Sequence, residues 1–83
     1  MDFGTYLRKE REKAGLSLRQ VVLMTNNETD KTTLSRIEMN ERGISLKLAY
    51  LLSKVYGVDF ETLTKKAIGN IKIRKLTAAA RKA

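Results

Sequence analysis

Ser17, Asp30, Ser45 and Asp59 each stand just ahead of a stretch in which apolar residues recur at helical spacing, and Asn26, Gly57 and Gly69 follow where the Ser17, Ser45 and Asp59 stretches end. Ser and Asp side chains accept from the free N–H groups of a first helical turn, and Gly or Asn closes a last turn in the left-handed region. The chain contains no Pro, so nothing interrupts the helices punctuated this way. A chain so marked is constrained to an all-α bundle of short helices.

Five helices are predicted. The first runs from about Phe3 to Ala14, with Phe3, Leu7 and Ala14 on one face, Tyr6 at its edge, and Gly15 after it. The second starts at Ser17, whose partner three residues on, Gln20, makes a capping-box pair; it continues through Val21, Val22 and Met24 to about Thr25. A polar break, Asn26 to Thr29, precedes the third, which Asp30 caps and which ends near Met39. Ser45 caps a fourth with Leu48, Leu51, Leu52 and Val55 inward, stopped at Gly57; Asp59 caps a fifth, Phe60 to about Ile68, with Leu63 inward. In the tail, Ile71 and Ile73 alternate with basic residues like a short strand, while Ala78 to Ala83 favours helix by propensity.

A chain of 83 residues is one small domain with a core that often depends on a partner subunit or on very regular helix packing. Cys and His are both absent, which removes disulfides, thiolate and imidazole metal sites and the usual nucleophile–base pairs. No metal or cofactor is expected, and an enzyme is the least favoured class. No apolar run approaches the roughly 18 residues of a membrane span, and Met1-Asp2-Phe3 does not begin a signal peptide, so a cytoplasmic protein is expected. The net charge is +8, which points to polyanions, nucleic acid first. The charge is uneven. Residues 1–68 hold 12 Lys/Arg and 9 Asp/Glu, a net +3; residues 69–83 hold 5 Lys/Arg and no acid, a net +5. The organisation expected is therefore a folded body over 1–68 and a basic tail over 69–83, either a polyanion-binding arm, a dimer contact or a disordered end.

The third helix carries the chemistry. At 100° per residue, Leu34 and Ile37 lie about 60° apart and define a buried direction. Thr32, Ser35, Arg36 and Met39 lie within about 50° of the opposite direction, with Lys31 near the border on the outer side. Small hydroxyl donors beside Lys and Arg on one short helix face suit base edges in a DNA major groove, although a solvated helix face has the same pattern. Ser17 and Arg19 at the start of the second helix, Arg42 and the backbone of Asn40 and Gly43 after the third, and Lys47 in the first turn of the fourth are candidates for phosphate. Glu38 borders the core beside Ile37, where an unpaired carboxylate is costly.

The ordered set Phe3-Gly4-Thr5-Tyr6-Leu7-Arg8, Arg11, Ala14 to Gln20, Leu34-Ser35-Arg36-Ile37-Glu38, Arg42, Ser45 and Leu48 to Val58 resembles the lambda-repressor-like helix-turn-helix domain of Xre/Cro-type regulators, over roughly residues 3–66. The resemblance implies a five-helix DNA-binding domain whose third helix enters the major groove, with Lys31, Thr32, Ser35 and Arg36 meeting bases. It also implies an ion pair between Arg11 and Glu38 that ties the first helix to the third. The function expected is sequence-specific binding of double-stranded DNA by a homodimeric transcriptional regulator, a repressor more readily than an activator. Helices four and five, including Tyr56, Phe60 and Leu63, and the tail are the candidate dimer contacts. The alternatives are an antitoxin whose main partner is a toxin and whose DNA binding is autoregulatory, and a non-specific architectural protein.

Three departures from the family pattern stand out. The turn between the second and third helices is about two residues longer, with Asn26 where Gly is common. Leu18 takes the place of a Gln that often braces the DNA backbone. Glu10 sits at a position that is often apolar, so a less deeply seated first helix is expected.

Overall fold

The computed structural model describes residues 2–69. The strand-like and helical features predicted for the tail beyond Gly69 lie outside the described residues. Within them the chain forms five helices and no strand: α1 Phe3–Lys13, α2 Leu18–Met24, α3 Lys31–Glu38, α4 Leu46–Tyr56 and α5 Phe60–Ala67. The all-α expectation holds.

Local chemistry sets the boundaries. The side chains of Asp30, Ser45 and Asp59 accept from the amides of Thr33 (2.7 Å), Leu48 (3.1 Å) and Thr62 (3.1 Å). At α2 the capping box closes in both directions: the Gln20 amide donates to Ser17 Oγ at 3.1 Å, and the Ser17 amide donates to Gln20 Oε1 at 2.7 Å. Asp2 caps α1 in the same way, accepting from the Thr5 amide at 2.8 Å. Four of the five C-terminal ends are equally regular. Gly15, Asn26, Asn40 and Gly57 all have positive φ, at 72°, 54°, 60° and 68°. After each of them the next amide reaches back to an orphan carbonyl, Leu16 to Arg11, Asn27 to Val22, Glu41 to Arg36 and Val58 to Ser53, at 2.8–3.1 Å. This is the Schellman closure, and Asn substitutes for Gly twice because its short polar side chain tolerates left-handed backbone.

Every helix contributes to one core: Leu7, Val21, Leu34, Ile37, Leu48, Ala49, Leu52, Tyr56 and Leu63. α3 lies against both α1 and α2, while α5 lies against α4 and α1. Burial of Leu34 and Ile37 is worth about 1.5–3 kcal/mol each, and it fixes which face of α3 is left outside. Several expectations need correction. Ala14 is exposed at the C-cap and shares no buried face with Leu7, because α1 ends one residue earlier. Tyr56 and Leu63, expected at a subunit contact, are 8% and 0% exposed and belong to the core. Glu10 is half-buried and paired with Lys13 at 3.1 Å, yet Leu7 is fully seated at 1% exposure, so α1 is not lifted from the core.

The α1–α3 seam depends on Gly4. A Cβ there would stand 2.7 Å from the Ile37 carbonyl oxygen and would also overlap that of Glu38. Both obstacles are backbone, which cannot swing aside. The close approach lets the Gly4 amide donate to Asn40 Oδ1 at 2.9 Å, so the residue that ends α3 also secures the start of α1.

Candidate nucleic-acid interface

α3 is held by apolar contact on one side and by ions at its end. The Arg11 guanidinium meets Glu38 with two bonds, Nε to Oε2 at 2.8 Å and Nη2 to Oε1 at 3.1 Å. Its Nη1 donates to the Leu16 carbonyl at 2.9 Å. The two side chains are 13% and 8% exposed, and the bond to Glu38 raises the pKa of Arg11 further. The Tyr56 hydroxyl packs in the same region; burial first, and the Glu38 carboxylate second, push its pKa well above the ordinary value. One forked pair thus links α1, the turn after it and the end of α3.

The outer face of α3 is open. Lys31, Thr32 and Arg36 are exposed and Ser35 is half-buried. Together with Leu18 at the start of α2, Met39 and Glu41, they line a shallow recess of about 440 Å³. Met39 is 62% exposed and lies back along the face, its Sδ 3.8 Å from the Ser35 hydroxyl. Just ahead, Asp30 accepts from the Thr33 amide, a bond that lowers its carboxyl pKa and places a carboxylate at the positive end of the α3 dipole.

The pairing of cations divides the surface. Arg8, Arg11, Lys13, Lys47 and Lys65 each pair with a carboxylate. Lys54 lies 5.3 Å from the centre of the Tyr50 ring and Lys66 lies 5.7 Å from that of Tyr6. Among the described residues, the cations with neither a carboxylate nor a ring are Lys9, Arg19, Lys31, Arg36 and Arg42. All but Lys9 flank the two helices α2 and α3. Arg42 Nη1 donates to Thr33 Oγ1 at 3.5 Å, and its charge is among the influences that lower the Asp30 carboxyl pKa.

The candidate phosphate residues differ among themselves. Ser17 Oγ accepts within the capping box, which leaves its O–H able to donate outward. Arg19 is exposed. Lys47 is engaged with Glu28 at 2.7 Å, a pair that fastens the Asn26–Thr29 turn to the start of α4 and that sequence spacing gave no means to foresee. The Asn40 side chain is committed to α1: it bonds the Gly4 amide, and with the Thr5 amide as the larger influence it lowers the Asp2 carboxyl pKa to about 2. What Asn40 and Gly43 present outward is backbone. In the long turn both Asn26 and Asn27 are left-handed, so the extra length is taken up as a second positive-φ residue, and Thr25 below it is buried with its hydroxyl bonded to the Val22 carbonyl at 2.9 Å. The sequence also did not mark Glu41 as a lining residue of the recess.

A short capped α2, a six-residue turn and an α3 with an open cationic face define a helix-turn-helix DNA-binding domain. The helix-turn-helix family model matches residues 7–63, well over half of the chain, and the protein belongs to this family, in its lambda-repressor and Xre-like class. Comparison with curated proteins and with solved structures returned no match. The chain is accordingly a DNA-binding transcription regulator. Among the described residues no helix is long and apolar enough to cross a membrane, and no His, Cys, Asp or Glu cluster is arranged to hold a metal ion.

Proposed function

We propose that the protein is a repressor that binds a two-fold operator as a homodimer, with α3 of each subunit in the major groove of one half-site. The observation that carries this reading is the set of unpaired cations, Arg19, Lys31, Arg36 and Arg42, on and beside the open outer face of α3. Among the described residues every other cation except Lys9 is paired with a carboxylate or lies against a ring, so these four are free to meet an external anion. Arg36 takes guanine O6 and N7 in a bidentate pair, which discriminates by about 1–3 kcal/mol. Lys31, nearer the helix start, reads a second purine edge; Thr32 and Ser35 offer hydroxyls to neighbouring bases. Ser17, Arg19, Arg42 and the Asn40 and Gly43 backbone hold phosphates and set the register. Lys47 joins them by exchanging Glu28 for phosphate.

One half-site offers too little contact for typical specific affinity, which calls for two subunits with half-sites about 34 Å apart. With Tyr56 and Leu63 spent in the core, the dimer contact falls to the exposed part of α4 and α5, where Leu46 and Tyr50 lie one turn apart and Phe60 meets the Tyr50 ring edge-on at 5.8 Å. The basic residues beyond Gly69 add phosphate contacts. Operator occupancy is enough for repression, and we place the protein in the cytoplasm, on the nucleoid.

Selection from random duplex DNA followed by sedimentation on the selected site tests this reading. A symmetric site bound by two subunits is expected. Removing residues 70–83 should lower the salt slope by about 0.9 for each phosphate that the tail neutralises. A monomer on an asymmetric site contradicts the dimer, and equal affinity for random and selected DNA contradicts specific recognition altogether.

A further inference from the structure

The recess on α3 has walls that hydrogen bonding to bases does not explain. Leu18 and Met39 line it together with Thr32, Ser35, Lys31 and Arg36. Met39 contributes nothing to the core and is 62% exposed, so its side chain is free to meet a ligand in the recess. Leu18, half-buried, caps nothing itself. Glu41 also lines it, and its carboxylate repels phosphate. The Leu18 and Met39 side chains offer a base edge apolar contact beside these charges. In the major groove, the one apolar group on any base edge is the C5-methyl of thymine.

We propose that Leu18 and Met39 form a methyl-reading site, which selects thymine, or 5-methylcytosine in its place, at one position of each half-site. This rests on α3 entering the major groove. It adds a specificity element from α2 to those on α3. The Met thioether is soft and unbranched and fits an irregular gap. Leu18 is preset by its packing against the core, while the Thr32 γ-methyl completes the lining. Removing a single methyl from such a contact should cost about three- to fivefold in affinity, the equivalent of one buried carbon.

The test uses the full chain and the duplex it selects. Each thymine of that site is replaced in turn by deoxyuridine, which removes the C5-methyl and nothing else. One replacement per half-site is expected to weaken binding three- to fivefold, and Met39→Ala and Leu18→Ala are each expected to shrink that difference, the double variant bringing it below twofold. Met39→Ala serves as the clean variant because its side chain is on the surface; thermal melting of Leu18→Ala shows whether that variant remains folded. A selected site in which no uracil replacement costs as much as twofold overturns the proposal and leaves the helix-turn-helix reading intact. So does a methyl effect that persists undiminished in Met39→Ala and in folded Leu18→Ala. A failure to select any site would instead count against the reading on which the proposal rests.

Discussion

Replacing Glu38 by Ala separates the scaffold from the reading surface. The carboxylate is 8% exposed and its forked partner Arg11 is 13% exposed. Truncation leaves a guanidinium deprived of two of its three bonds, those from Nε and Nη2, in a site with little water to replace them. Breaking a buried pair from one side costs about 3–5 kcal/mol. The surviving bond from Arg11 to the Leu16 carbonyl favours the lower end, about 3 kcal/mol. For a domain of this size each kcal/mol lowers Tm by about 4–8 °C, so a fall of roughly 12–24 °C is expected. If the wild type is stable by about 5 kcal/mol, some 2 kcal/mol remains, and only about 3% of the variant is unfolded at 25 °C. DNA affinity at that temperature should then change by less than twofold, because Glu38 points into Arg11 and does not line the recess. Calorimetry and a binding titration on the same preparation decide the matter. An unchanged Tm would refute the structural role, and a tenfold loss of binding by a folded variant would place Glu38 in the interface. The pair Arg11→Met with Glu38→Leu, which removes both charges, should recover most of the stability.

Other perturbations reach different links in the same chain of causes. Gly4→Ala pushes a Cβ into the carbonyls of Ile37 and Glu38 and should destabilise by about 1–3 kcal/mol in urea unfolding, as overpacked sites do; a neutral result would mean that α1 and α3 are not seated this closely. Asp2 has a carboxyl pKa of about 2 against an ordinary value of 3.8, so its contribution is complete above about pH 4 and lost as pH falls toward 2. Asp2→Asn, still a competent cap, should flatten that part of the stability profile between pH 4 and 2, and an unaltered profile would contradict the assignment. Glu28→Gln breaks an exposed pair worth at most about 1 kcal/mol and frees Lys47. Affinity for all DNA sequences should rise alike, with a steeper salt dependence, and no change in slope would remove Lys47 from the phosphate-binding set.

The legible parts of the fold are those with local causes. Ser17, Asp30, Ser45 and Asp59 act on amides three residues away, so sequence alone locates the helix starts. Leu34 and Ile37 separate the inner face of α3 from the outer by angle alone. Asn26 is recognisable as a left-handed residue because it replaces a Gly, whereas Asn27 and Asn40 are not, since nothing local distinguishes an Asn that turns the chain from one that decorates it. The contacts between distant segments are hidden from sequence. Gly4 against the end of α3, Asn40 reaching back to Gly4, and Glu28 on Lys47 join residues far apart along the chain, 36 positions for Gly4 and Asn40 and 19 for Glu28 and Lys47. Tyr56 and Leu63 have the spacing of either a core or a subunit contact, and only packing decides between them. The same holds for the recess, whose Leu18 and Glu41 walls come from outside α3.

The most direct measurement is the affinity of Arg36→Ala for the selected operator and for a panel carrying every single base-pair change in one half-site. A base-reading Arg36 predicts that the variant loses about 1–3 kcal/mol on the operator and ceases to discriminate at one position, while every other position keeps its preference. Uniform weakening across the panel, with all preferences retained, would show that the outer face of α3 meets phosphate and not base edges.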